Sequence, residues 1–152
     1  MPIQDTLREL GLEIPPVPAA LAAYIPSKRS GNLIFTSGQL PLVSGKIQKT
    51  GKVGREVTLA EAQAEAKQCL LNALAAILLH IESLDQIKSI VKLGVFVSSS
   101  PDFTEHHLVA NGASELVVAI FGDKGKHARF AIGVSSLPLD ASVELEVVAE
   151  IE

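Results

Sequence analysis

The sequence predicts an α+β fold in which two long helices cover one face of a mixed β-sheet. Two long helical patterns are separated by one apolar, β-branched segment, and the C-terminal stretch alternates with a two-residue period. The length, 152 residues, suits one core rather than two. The chain is therefore read as a single domain over 1–152, with residues 1–23 as an N-terminal extension packing on it.

The elements follow in order. Thr6 to Leu10 suits a short helix stopped by Gly11, and Pro15, Pro16 and Pro18 then force extended chain over the surface. Gly31-Asn32 marks a turn into a strand over Leu33 to Thr36, which Ser37-Gly38-Gln39 ends or bends. Gly45, Gly51 and Gly54 punctuate a loose hairpin or loop. Thr58-Leu59-Ala60-Glu61 is a capping box. It opens an Ala-rich helix running to His80–Ser83, with Leu70, Leu74, Ile77, Leu78 and Ile81 on one stripe. Ile90 to Val97 is a buried strand. Ser100-Pro101-Asp102 caps a second helix over Phe103 to Phe121, ended by Gly122; Asn111-Gly112 leaves a break in its middle open. Strands over Ala128 to Val134 and Val143 to Ile151 complete the chain. In the last, Val143, Leu145, Val147, Ala149 and Ile151 share one face, and Glu144, Glu146, Val148 and Glu150 the other.

Composition excludes several classes of function. An apolar fraction of 47% excludes a disordered chain. A net charge of −4 without a basic block argues against a nucleic-acid binder. Cys69 alone rules out an internal disulfide, and its apolar helical surroundings suit a small buried hydrophobe. The longest apolar run, Ala73 to Leu79, is too short to cross a membrane. The first residues have neither the basic nor the apolar region of a signal peptide, so the cytoplasm is the expected location. Aromatics are only 4%, so the apolarity is aliphatic, and there is more of it than a small monomer needs. The face of the sheet without helices is its expected place, buried against another subunit.

No metal-ligand spacing or nucleotide-binding glycine loop is present, so neither a metal nor a cofactor is expected. The unusual residue is Arg129, on a strand of small and apolar side chains. Alternation places it with His127, Ala131 and Gly133. An arginine with Ala and Gly beside it has room for a carboxylate, which its planar fork of donors matches. A pairing with a nearby Glu, or a position at a sheet edge, would also explain it. Glu144 could serve as a general base toward water, or belong with Glu146 and Glu150 to a solvated row.

Tyr24 seven residues before Gly31-Asn32, the segment TSGQLP from Thr36 to Pro41, the Ala128-Arg129 pair, and Leu137-Pro138 followed by VELE from Val143 to Glu146 occur in a fixed order. In these the chain resembles the YjgF/RidA family, also called the endoribonuclease L-PSP family, from about Tyr24 to Ile151. VANGASELVVAIFG and GKHARFAIGV resemble a subgroup distinct from the best-studied deaminases. The resemblance implies a chorismate-mutase-like fold, a last strand inserted elsewhere in the sheet, and a trimeric barrel with clefts between subunits. It implies hydrolysis of 2-imino acids or enamines to 2-keto acids and ammonia. In that scheme Arg129 holds the substrate carboxylate, Glu144 positions or activates water, Tyr24 helps close the cleft, and Ser37 and Gly38 line it.

Two positions depart from the deaminase branch: Ala131 replaces Cys and Gly133 replaces Glu, which predicts a roomier, less polar cleft. His127 is read as a polar wall of that cleft or as a surface residue. The expected partner is a small carboxylate-containing metabolite. The alternatives are a non-catalytic carboxylate-binding protein and an endoribonuclease or translation inhibitor.

Overall fold

Alternation along the last strand decides the layering. The computed structural model describes residues 1–17 and 23–152. In it, helix α1 (Ile3–Glu9) precedes strands β1 (Ser27–Ser30), β2 (Leu33–Thr36), β3 (Leu42–Val43) and β4 (Lys46–Ile47). Helix α2 (Leu59–Ile77), strand β5 (Ile87–Ser98), helix α3 (His106–Phe121) and strands β6 (Ala128–Val134) and β7 (Val143–Ile151) follow. The main sheet has the order β1-β2-β7-β5-β6, while β3 and β4 form a separate hairpin. β7 is antiparallel to both neighbours, β2 and β5, and β5 runs parallel to β6. This is a mixed α+β fold, with α2 over the β7 and β2 side of the sheet and α3 over β6 and β5.

The odd residues of β7, Val143 to Ile151, are at most 3% exposed beneath the helices, where they meet Leu70, Leu74 and Ile77 of α2. Burying each of the Val, Leu and Ile side chains among them contributes about 1.5–3 kcal/mol. The Thr58 capping box forms as expected, with both reciprocal hydrogen bonds present. Leu7 of α1 is 1% exposed in the same cluster, and the Ile3 amide donates to Asp85. No described helix is long and apolar enough to cross a membrane.

Several boundaries differ from expectation. β1 is additional: its residues Lys28, Arg29 and Ser30 are exposed at the sheet edge, so no apolar alternation announces it. α2 ends at Ile77, and the chain tightens into a turn through His80, whose ring lies 3.2 Å from the Ser27 carbonyl. α3 begins at His106 rather than Phe103, because Ser100 to Phe103 closes a turn of its own and Ser100 does not cap the helix. Of the proline-rich stretch, Pro18 to Ala20 lie outside the described residues.

Asn111-Gly112 does not break α3. A Cβ at Gly112 would lie 2.6 Å from the Gln63 carbonyl oxygen of α2, so glycine here sets the distance between the helices. Gly112→Ala gains about 1 kcal/mol in helix propensity. Forcing the helices apart costs about 1–3 kcal/mol. Gly112→Ala is therefore expected to lower the thermal midpoint, and a raised midpoint would show that the helices adjust freely. Cys69 is fully buried, its Sγ 3.6 Å from the Val143 carbonyl, and burial raises its thiol pKa well above the ordinary value. It should resist an aromatic disulfide reagent in the folded protein and react on denaturation.

Candidate active site

The predicted residues fall into two groups on opposite faces of the sheet. The parallel register sets Arg129 beside Leu93, which faces the helices, and Ala131 beside Val95 and Gly133 beside Val97 on that same side. Glu144 pairs with Phe96 and faces away from the helices. Strand β5 stands between β6 and β7, so one chain does not bring Arg129 and Glu144 together.

The first group lies between β6 and α3. Arg129 Nη1 donates to Asn111 Oδ1 at 2.9 Å and to Ser114 Oγ at 3.1 Å, and Nη2 approaches the His107 carbonyl at 3.5 Å. His127 is half-buried behind it. Its Nδ1 donates to the Gly125 carbonyl at 2.5 Å, which leaves Nε2 to accept from the Ser114 hydroxyl at 2.9 Å. Ser114 thus connects His127 to Arg129. One edge of the guanidinium is fixed on the helix, while Nη2 keeps only the long contact and can turn to a carboxylate.

The second group lies where β2 ends and β7 begins. Ser37 Oγ donates to the Ile25 carbonyl at 2.6 Å, and the Ser37 amide donates to the Pro26 carbonyl at 2.8 Å. These bonds tie the segment of Tyr24, 55% exposed, to the end of β2. The Glu144 carboxylate lies against Gly38, where a Cβ would sit 2.8 Å from Oε2. Burial raises the Glu144 pKa, and the nearby Glu146 raises it further.

One expectation is overturned. Gly133 does not make the site roomier and less polar, because His106 fills the space beside it: a Cβ at Gly133 would lie 2.5 Å from His106 Nε2. Asn111 and Ser114 were missed, since Asn111-Gly112 read only as a possible break. The available signal was the spacing of His107, Asn111 and Ser114, which places three polar residues on one face of a mostly apolar helix. Among the described residues, no cluster of His, Cys, Asp or Glu could hold a metal ion.

Arranged this way, the residues can bind a carboxylate at Arg129 and polarise water at Glu144. Asn111→Ala is expected to weaken binding of a small carboxylate at Arg129 about tenfold in calorimetry, because Arg129 loses the partner that orients it. Equal or tighter binding would make Asn111 a competitor of the ligand.

The chain matches the YjgF/chorismate mutase-like family model over residues 4–151; the family description also carries an endoribonuclease name. A crystal structure of a protein of unknown function from Agrobacterium tumefaciens is 46% identical, with a TM-score of 0.93 over 99% of this chain and 92% of that one. Protein TCP17 of Trypanosoma cruzi is 41% identical over 98% of this chain and 94% of its own length. The 2-iminobutanoate/2-iminopropanoate deaminase of Escherichia coli is 34% identical over 87% of this chain and 90% of its own. The family model spans nearly the whole chain and relatives at 41% and 34% identity cover most of it, so the chain belongs to the YjgF/RidA family.

Proposed function

We propose that the protein hydrolyses small 2-imino acids, or the enamines in equilibrium with them, to 2-keto acids and ammonia, without metal or cofactor. The cleft is assembled from two copies of the chain in a homotrimer. One copy supplies Arg129 with Asn111, and its neighbour supplies Glu144, Gly38, Ser37 and Tyr24. The placement of Arg129 and Glu144 on opposite faces carries this reading, because a site that needs both must draw them from different copies. The helix-free face supports it further: Phe35, at 42% exposed, lies there with half-buried Phe96, Phe130 and Val148, and Ile132, at 46%, lies beside them. An apolar surface of this kind suits burial against another subunit.

The chemistry asks little of the protein. An iminium carbon is already electrophilic. Arg129 holds the substrate carboxylate and so orients that carbon. Glu144 takes a proton from water as its oxygen bonds to the carbon. Glu144 returns that proton to nitrogen, the C–N bond breaks to release ammonia, and the freed Glu144 carboxylate takes the remaining hydroxyl proton as the carbonyl forms and passes it to solvent. An endoribonuclease reading is less well supported, because the net charge is −4 and the helix-free face mixes Glu144, Glu146 and Glu150 with Lys28 and Lys92 rather than presenting a basic stripe.

Release of 2-oxobutanoate from 2-iminobutanoate tests the proposal. Arg129→Ala should lower kcat/KM about 10–100-fold. Glu144→Gln should lower it about 100-fold or more. Unchanged turnover in either variant would remove that residue from the mechanism, and tight ligand binding without turnover would select a carboxylate-binding protein. Glu144 works as a base only when ionised. Burial and Glu146 raise its pKa, so the acid limb of kcat/KM lies on the high side of an ordinary glutamate's, and Glu146→Gln should move that limb to lower pH.

A further inference from the structure

β5 and β6 run parallel, and their carboxyl ends open onto a cavity of about 360 Å³ lined by Ser99, Phe103, His106, Gly133 and Ser135, among others. Sheets with parallel strands favour ligands at this end, and the volume is that of a small-molecule site. His106 Nε2 lies 3.1 Å from Ser99 Oγ, and the His106 ring stands edge-on to Phe103 with centroids 5.2 Å apart. The Ser99–His106 pair rests on Gly133: a Cβ there would lie 2.5 Å from Nε2 and 3.1 Å from Ser99 Oγ. Beside the cavity, the Lys52 ammonium donates to the Ser135 carbonyl and to Ser98 Oγ. Among the described residues the Lys52 ammonium forms no salt bridge, while its backbone amide donates to Glu56 Oε1 at 3.0 Å. No Asp or Glu lines the cavity. A hydroxyl and an imidazole thus border it with a cation at its edge and no acid among its lining.

Arg129 lies outside this cavity's lining, on the same strand and the same face as Gly133. Gly133 lies four residues beyond Arg129 on the same face of β6, about 13 Å along the strand. Ala131 between them carries only a methyl group, and Arg129, bonded to Asn111 and Ser114, also approaches the His107 carbonyl in the first turn of α3. The Arg129 side chain covers part of that separation, and a five- or six-carbon diacid suits the rest.

We propose that this cavity is an anion subsite that receives the distal carboxylate of a dicarboxylic 2-imino or 2-keto acid whose first carboxylate is held by Arg129. The inference rests on the reading of Arg129 given above. It makes His106, Ser99 and Lys52 specificity-determining residues and dicarboxylic substrates the preferred class.

Calorimetry with 2-oxoglutarate and 2-oxobutanoate on the full chain tests it. The wild-type protein should bind the dicarboxylate at least about tenfold more tightly. His106→Gln and Lys52→Gln should each reduce that ratio, and the double variant should bring it close to one. If Lys52→Gln fails to fold, His106→Gln and Ser99→Ala decide the matter by the same ratio. Equal wild-type affinities, no measurable binding of either acid, or a ratio that survives in the variants would overturn the proposal. Turnover is measured separately. A dicarboxylate preference without imine hydrolysis would remove the proposed reaction and keep the subsite. Hydrolysis without the preference would do the reverse.

Discussion

Strand β7 lies in the centre of the sheet, hydrogen-bonded to β2 on one side and β5 on the other, and its side chains alternate without interruption. That alternation is the constraint on which the rest of the molecule depends. Its aliphatic face is covered by the helices, so its acidic residues must emerge on the opposite face. A shift of register by one residue would carry Glu144 and Glu146 into the core and Val143 and Leu145 out of it, exchanging buried apolar area for buried charge. Because β7 occupies the centre, β6 is displaced to the edge, where Arg129 lies against α3 and remains reachable.

Glu144 and His106 both rely on the absence of a side chain opposite them. Gly38 lets the Glu144 carboxylate approach the chain, and the burial that accompanies this keeps the carboxyl pKa raised. Gly133 similarly lets His106 settle against β6 beside Ser99. Arg129 follows a different logic, since donor-accepting neighbours on α3 hold it rather than a countercharge. A guanidinium held through neutral acceptors keeps its charge available for an anion, whereas a salt bridge would compete with one.

The features legible in the sequence were those in which local chemistry and tertiary packing agree. The Thr58 capping box, the apolar stripe of α2 and the alternation of Val143 to Ile151 all appear where the residues placed them. β1 was not legible, because Lys28 and Arg29 lie exposed at an edge and contribute no burial pattern. The start of α3 was not legible because Ser100 and Pro101 can open a helix as readily as a turn, and the turn is held by the Ser100 amide's bond to the Val53 carbonyl of a distant segment. Arg129 and Glu144 stood out from their own strands. Their assignment to opposite faces required the β5 register, which is a long-range property. Asn111 and Ser114 acquire meaning only once α3 is set beside β6.

The central claim is that Arg129 and Glu144 of one working cleft belong to different copies of the chain. Subunit complementation tests it most directly. Arg129→Ala and Glu144→Gln proteins, each impaired alone, are mixed, dissociated and reassembled, and imine hydrolysis is then measured. If each cleft draws the two residues from neighbouring copies, random reassembly restores both to about a quarter of the clefts, and activity recovers accordingly. If reassembled mixtures remain as inactive as the two variants apart, the two residues do not combine across copies, and the account is wrong.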